Sequence, residues 1–180
     1  MPHQALVTAD ELERWPDAEF RHELVKGQVI TMSLPASVHG LVTSNVILLL
    51  GGYVKQHALG VVMSEMGFKL ASNPDTVRGP DAAFLRAERI AGGLPRGFWN
   101  GAPDLAIEVL SPDDRPSAMR DKIAEYLAVG VALVWVVDPA RRRVTAHRRL
   151  SLPVTLHEHD TLTASDVVPG FSCTVRELFD

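Results

Sequence analysis

Residues 103–115, PDLAIEVLSPDDR, limit the folds open to this chain more than any other segment. Positions 105–110 read as a strand suited to a protein interior, with Ala106, Ile107, Val109 and Leu110 surrounding one carboxylate, Glu108. An unpaired carboxylate in hydrocarbon costs several kcal/mol or takes up a proton. Something positive must therefore lie close to Glu108. A structural ion pair with an arginine, or backbone hydrogen bonds, would meet that need without any chemistry.

The segment that follows sets the architecture. RPSAMRDKIAEYLAVG (115–130) places Met119, Ile123, Tyr126 and Leu127 on one helical stripe and ends at Gly130. VALVWVVDP (131–139) then reads as a buried strand. Upstream, FRHELVKGQVITMS (20–33) predicts a hairpin turning at Lys26-Gly27. Thr8 and Glu11 have capping-box spacing for a short helix over 9–15, before Pro16. The longest helical candidate is 37–59, with Leu41, Asn45, Leu48, Leu49 and Val54 at helical spacing, although Gly51-Gly52 weakens it. Strands are expected over 60–66, 67–71 and 80–87, with SNPDTVRG (72–79) as a polar turn and 88–102 as a surface excursion. A basic strand around 142–149 and a helical turn at 175–180 complete the reading. Strand pairs, a helix and then a buried strand predict a single α/β (α+β) domain over 1–180, built on a mixed sheet.

Composition narrows the classes of function. The chain is 46% hydrophobic and 22% charged with a net charge of −4, which disfavours non-specific nucleic-acid binding through bulk charge. A local basic surface is still available in RRRVTAHRR (141–149), which supplies Arg141, Arg142, Arg143, Arg148 and Arg149. Cys173 is the lone cysteine, so no intrachain disulfide forms and a reducing, cytoplasmic setting is expected. The N-terminus lacks the basic and apolar regions of a signal peptide. The longest apolar run, VILLLGGYV (46–54), falls short of the ~20 residues that cross a bilayer, so no membrane association is expected.

A second carboxylate comes from GPDAAF. Asp81 follows Pro80 at the start of its own strand, and neighbouring strands lie about 4.8 Å apart, close enough for Asp81 and Glu108 to share one hard cation. Asp104 occupies the other Pro-Asp pair but lies roughly 13 Å along the strand from Glu108, too far to share an ion. Other constellations fail: there is no Gly-x-Ser-x-Gly elbow and no phosphate-binding Gly-Lys loop. His157 and His159 share a strand face without a third ligand. Trp15, Trp99 and Trp135 read as packing residues, and Asp138, before Pro139, as a turn residue.

HELVKG, PDAAFL, PDLAIEVLSPDDR, DKIAEYLAVGVALVWVVDP and VVPGFSCTVRELF, in that order, cover most of the chain. Together they resemble the Uma-type family of bacterial restriction endonucleases in the PD-(D/E)XK nuclease superfamily. The resemblance implies a restriction-endonuclease-like core, a central mixed sheet flanked by helices. It also implies a metal-dependent endonuclease acting on DNA, with Asp81 and Glu108 as ligands for Mg²⁺ and Mn²⁺ as a substitute. The backbone carbonyl of Val109 would be a further ligand. The superfamily lysine normally lies two residues beyond the acid, where this chain has Leu110. The resemblance places it instead on the following helix, at Lys122, with Gln56 or Arg120 as stand-ins if Lys122 turns outward to pair with Glu125 or Asp121. Glu23 would complete the site, and Arg141, Arg142, Arg143 and Arg148 would contact phosphates. His39 is expected to make local hydrogen bonds at a helix entrance. A homodimer, through the apolar faces of 131–137 and of the long first helix, is the expected assembly. The alternative is a non-catalytic nucleic-acid-binding or assembly module on the same scaffold, which Leu110 favours.

Overall fold

The computed structural model describes residues 5–15, 21–32, 34 and 36–180; the Pro16 stop expected after the first helix lies outside them. Its centre is a parallel pair, β8 (Leu105–Val109) and β9 (Leu133–Asp138), joined in register from Leu105 opposite Leu133 to Val109 opposite Val137. Parallel neighbours need a crossover, here α4 (Pro116–Ala128), and strands covered on both faces need nearly continuous apolar sequence. Alternation then divides the strands. Leu105, Ile107, Val109, Leu133, Trp135 and Val137 point into the main core, whereas Ala106, Val134 and Val136 pack with Ile123 and Tyr126 of α4. By the same period of two, Glu108 shares the α4 side.

The larger sheet continues as β11-β10-β9-β8-β6-β3, with β3 (Gly60–Ser64), β6 (Ala82–Arg86), β10 (Arg143–His147) and β11 (Val154–His157) all antiparallel to their neighbours. A second sheet runs β2-β1-β5-β4-β7, from β1 (Arg21–Val25), β2 (Gln28–Met32), β4 (Phe68–Ala71), β5 (Thr76–Arg78) and β7 (Trp99–Asn100). A ribbon of β12 (Thr161–Thr163) and β13 (Ser172–Thr174) precedes a 3₁₀ turn at Val175–Leu178. Gly79-Pro80-Asp81 carries the chain from the second sheet into the first, and the candidate site forms at that junction.

Local expectations fare unevenly. The β1–β2 turn is at Lys26-Gly27, both with positive φ (51° and 76°), the geometry of a tight hairpin. Helix α1 (Ala9–Leu12) carries the capping box of Thr8 and Glu11. The segment read as a polar turn contains β5, and the 88–102 excursion contains the short strand β7. His157 ends β11 and His159 lies in the turn beyond it, so the two do not share a strand face.

The long helix needs two corrections. It comprises α2 (Ser37–Val46), a π turn over Ile47–Gly51 and α3 (Gly52–Gln56). Its inward residues are Val42, Val46, Leu50 and Val54, while Leu41 and Leu48 are exposed. A residue every four positions drifts about 40° per step around a 3.6-residue helix, and one wide π turn takes up the drift so that all four reach the core. At 20 residues and a mean hydropathy of 1.4, this helix is long and apolar enough to cross a membrane by length and composition, unlike the shorter run seen in the sequence. Its inner face instead fills the main core. The apolar face of 131–137, by contrast, lies inside the sheet and cannot meet a second copy of the chain.

Gly60 illustrates how tightly β3 meets β6. Its φ is +147°, and an added Cβ would stand 2.0 Å from the Leu85 carbonyl oxygen. Gly60→Ala is expected to lower stability by at least about 1–3 kcal/mol, read as a reduced urea midpoint.

Candidate active site

Strand register brings the two predicted carboxylates together. Ala82 pairs with Ile107, so one step outward sets Asp81 opposite Glu108, on the face away from the main core. Asp81 Oδ2 accepts the Val109 N–H at 2.7 Å and lies 3.2 Å from His39 Nε2, while Oδ1 accepts from Arg21 at 3.3 Å. The Leu110 N–H turns the other way, to the Val137 carbonyl at 2.8 Å. Since the N–H and C=O of a strand residue point to the same edge, the Val109 carbonyl lies along the edge occupied by Asp81.

Helix α4 supplies the positive charge that Glu108 requires. Lys122 Nζ lies 2.9 Å from Glu108 Oε2 and 3.0 Å from Glu23 Oε1, and the Tyr126 hydroxyl donates to Glu108 Oε1 at 2.8 Å. Lys122 and Tyr126 are four residues apart and so share one helical face. Glu23 also accepts from Arg78 at 2.8 Å and from the Gly79 N–H at 2.9 Å, and Arg78 reaches Glu125 at 2.6 Å. Glu23, Arg78, Asp81, Glu108 and Lys122 are all buried, Lys122 with only 7% of its surface exposed. With His39 they line one cleft of about 550 Å³.

The chain matches the Uma2 family, described as "Putative restriction endonuclease", over residues 9–176. It belongs to that family. A crystal structure of a "putative nuclease belonging to DUF820" from Anabaena variabilis is similar throughout, with a TM-score of 0.84 and 22% identity over 96% of this chain and 97% of that one. No curated protein matches. The fold of this Uma2 chain is thus restriction-endonuclease-like, a mixed sheet with helices on its flanks.

Burial and charge pairing together set the ionisation of the Uma2 cluster. Burial pushes Glu108 up to about 7; Lys122 works against that, while Asp81 and Glu23 add to it. Burial also opposes ionisation of Glu23, yet Lys122 and Arg78 outweigh it and hold this carboxyl below its ordinary range. Asp81 is lowered in the same way, its burial overcome by the hydrogen bonds from His39 and Val109. For Lys122, burial favours the neutral amine, but Glu108 and Glu23 together raise it above its ordinary value. The hydrogen bond to Asp81 likewise raises His39.

The structure brings Glu23, Asp81, Glu108 and Lys122 into one cleft, with the Val109 backbone at its edge. Lys122 is not solvated and does not pair with Glu125 or Asp121. The basic segment divides. Arg141 and Arg143 share Asp138, whose side chain also caps the turn after β9, whereas Arg142 binds Glu158 and Asp180, and Arg148 binds Asp166. None of these four arginines lines the carboxylate cleft. Asp104 is held by Arg86 and Arg89. His39 reaches beyond local bonding to Asp81. Sequence reasoning missed Arg78, hidden in a segment read as a turn, and took Tyr126 only as a core residue. The available signals were an arginine three residues before Asp81 and a hydroxyl one turn after Lys122.

Proposed function

We propose that this chain is a Mg²⁺-dependent DNA endonuclease hydrolysing phosphodiester bonds, with Asp81, Glu108, Lys122 and Glu23 as its working residues. The observation that carries this reading is the buried ammonium of Lys122, set from a helix between two carboxylates and beside a third residue of the expected set. A superfamily lysine displaced from the strand needs that position, and a solvated lysine would not have it.

The donors suit a hard cation. Among the described residues no three His, Cys, Asp or Glu side chains form a ready metal cage, but magnesium needs only one or two protein carboxylates and keeps several waters. Burial keeps Glu108 raised even with Lys122 at 2.9 Å, and a divalent ion bound beside it would favour the ionised carboxylate. Asp81, Glu108 and the Val109 carbonyl would hold it, and bound there it would polarise a phosphoryl oxygen and acidify water. Lys122 contributes a fixed positive charge against the charge that develops on the phosphate. Glu23 and Arg78 fix the position of that ammonium, and His39 orients Asp81. Two copies addressing two strands would pair through the exposed Val38, Leu41 and Leu48 of the long helix.

Incubation with supercoiled plasmid is the direct test. Nicking is expected with Mg²⁺ or Mn²⁺, none with chelator, and a loss of roughly a hundredfold or more in Asp81→Asn, the size of a several-kcal/mol contribution. Both oxygens of Glu108 are already hydrogen-bonded, an observation that favours the non-catalytic binding module. Metal-independent DNA binding without nicking would decide for that module.

A further inference from the structure

A second groove, of about 720 Å³, opens beside the carboxylate cleft, and His39, Ser111, Pro112, Arg115 and Met119 line both, so the two form one continuous depression. Its volume falls within the roughly 300–1,000 Å³ of small-ligand sites. The walls are unlike those of the cleft: Leu110, Pro112, Met119 and Pro139 present hydrocarbon, while Arg115, Arg120, Arg141 and Arg143 stand around it. Among the described residues, Arg115 and Arg120 have no carboxylate partner within ion-pair distance, and Arg141 and Arg143 share the single carboxylate of Asp138. The other acid, Asp114, accepts the Ser111 N–H at 2.7 Å. Helix α4 also begins here, at Pro116, with no side-chain cap and no acid in its first turn.

An apolar wall with guanidinium groups beside it matches the chemistry of a nucleotide, whose base offers an apolar face and whose phosphate an anion. Base faces inside a duplex are covered by their neighbours, so a base can reach such a wall only when it leaves the stack. We propose that this groove receives one unstacked nucleotide of the substrate strand, next to the phosphodiester held at Asp81 and Glu108. The base lies against Leu110, Met119 and Pro139, and its phosphate among Arg115, Arg120 and Arg141. This assignment rests on the nuclease reading and names the form of substrate that reading leaves open: single-stranded or unpaired DNA in preference to perfect duplex.

Fluorescence anisotropy with labelled single-stranded oligothymidylate, in chelator so that nothing is cut, tests it. The wild type is expected to bind the single strand at least tenfold more tightly than the matched duplex, and to lose that preference when the thymines are replaced by abasic units. Arg115→Ala/Arg120→Ala should weaken single-strand binding tenfold or more and flatten its salt dependence by about 0.7 per lost phosphate contact. Lys55→Ala/Arg96→Ala removes the same charge outside the groove and should bind like wild type, with thermal melting confirming that all variants fold. Equal affinity for single strand and duplex, or groove variants that bind like the control, would overturn the assignment. Nicking with Mg²⁺ is scored separately. Groove-dependent binding without any cutting ends the nuclease reading and leaves the nucleotide groove in place, whereas cutting undiminished in the groove variants ends the groove alone.

Discussion

Lys122→Met is expected to abolish nicking and to lower stability by about 3–5 kcal/mol at pH 8, the usual cost of leaving buried charge without its partner. Methionine keeps the length and apolar stem of the side chain but removes the ammonium that lies 2.9 Å from Glu108 and 3.0 Å from Glu23. Arg78 still compensates Glu23, so most of the loss falls on Glu108. Adding Glu108→Gln to Lys122→Met should therefore recover more than half of the lost stability and none of the activity. Urea midpoints for the wild type, both single variants and the double variant give the coupling directly. A Lys122→Met single variant as stable as wild type at pH 8 would rule out the buried ion pair.

The second large effect is on pH dependence in metal-free protein. Folded Glu108 titrates at about 7, against 4.5 for an ordinary glutamate, with burial as the largest cause. The folded state thus holds this proton more tightly than the unfolded chain does. The resulting stability is complete below about pH 4.5 and is lost as the pH rises through 7, a fall on the order of 3 kcal/mol at about 1.4 kcal/mol per pH unit. Asp81 and Glu23 act in the opposite sense, because their lowered values add stability that disappears only as the pH drops through their folded values. His39, raised by Asp81, loses its contribution as the pH climbs through its own folded value. Comparison with Glu108→Gln isolates the glutamate: the difference in urea midpoint between wild type and variant should shift steadily against the wild type from pH 4.5 to 7. A constant difference across that range would mean that Glu108 is not proton-coupled to folding.

Much of this was legible in the sequence wherever local chemistry and tertiary packing agree. Glu108 stood out because a charge interrupts an apolar strand, and Asp81 because a second strand starts with an acid at matching depth. Both readings needed only the period of a strand and the spacing between strands. Lys122 was harder, since on a helix of mixed composition nothing local separates a buried lysine from a solvated one; only the family resemblance chose it. Arg78 was invisible because Thr76–Arg78 is too short to show periodicity and follows a run of turn-forming residues. The stripe on the long helix, right at Val54 and wrong at Leu41 and Leu48, has a different origin. Helical spacing was applied at 3.6 residues throughout, whereas the π turn over Ile47–Gly51 resets the inward face to every fourth residue.

The ammonium in this site rides on α4, whereas Asp81 and Glu108 are anchored in the sheet by the β6–β8 register. A lysine on the same strand as its acid could never move independently of it. Here both donors to Glu108, the Lys122 ammonium and the Tyr126 hydroxyl, come from a helix outside the sheet that carries the acid. The distance between cation and acids is therefore set by how α4 packs on the sheet, whereas the distance between the acids is set by strand register alone.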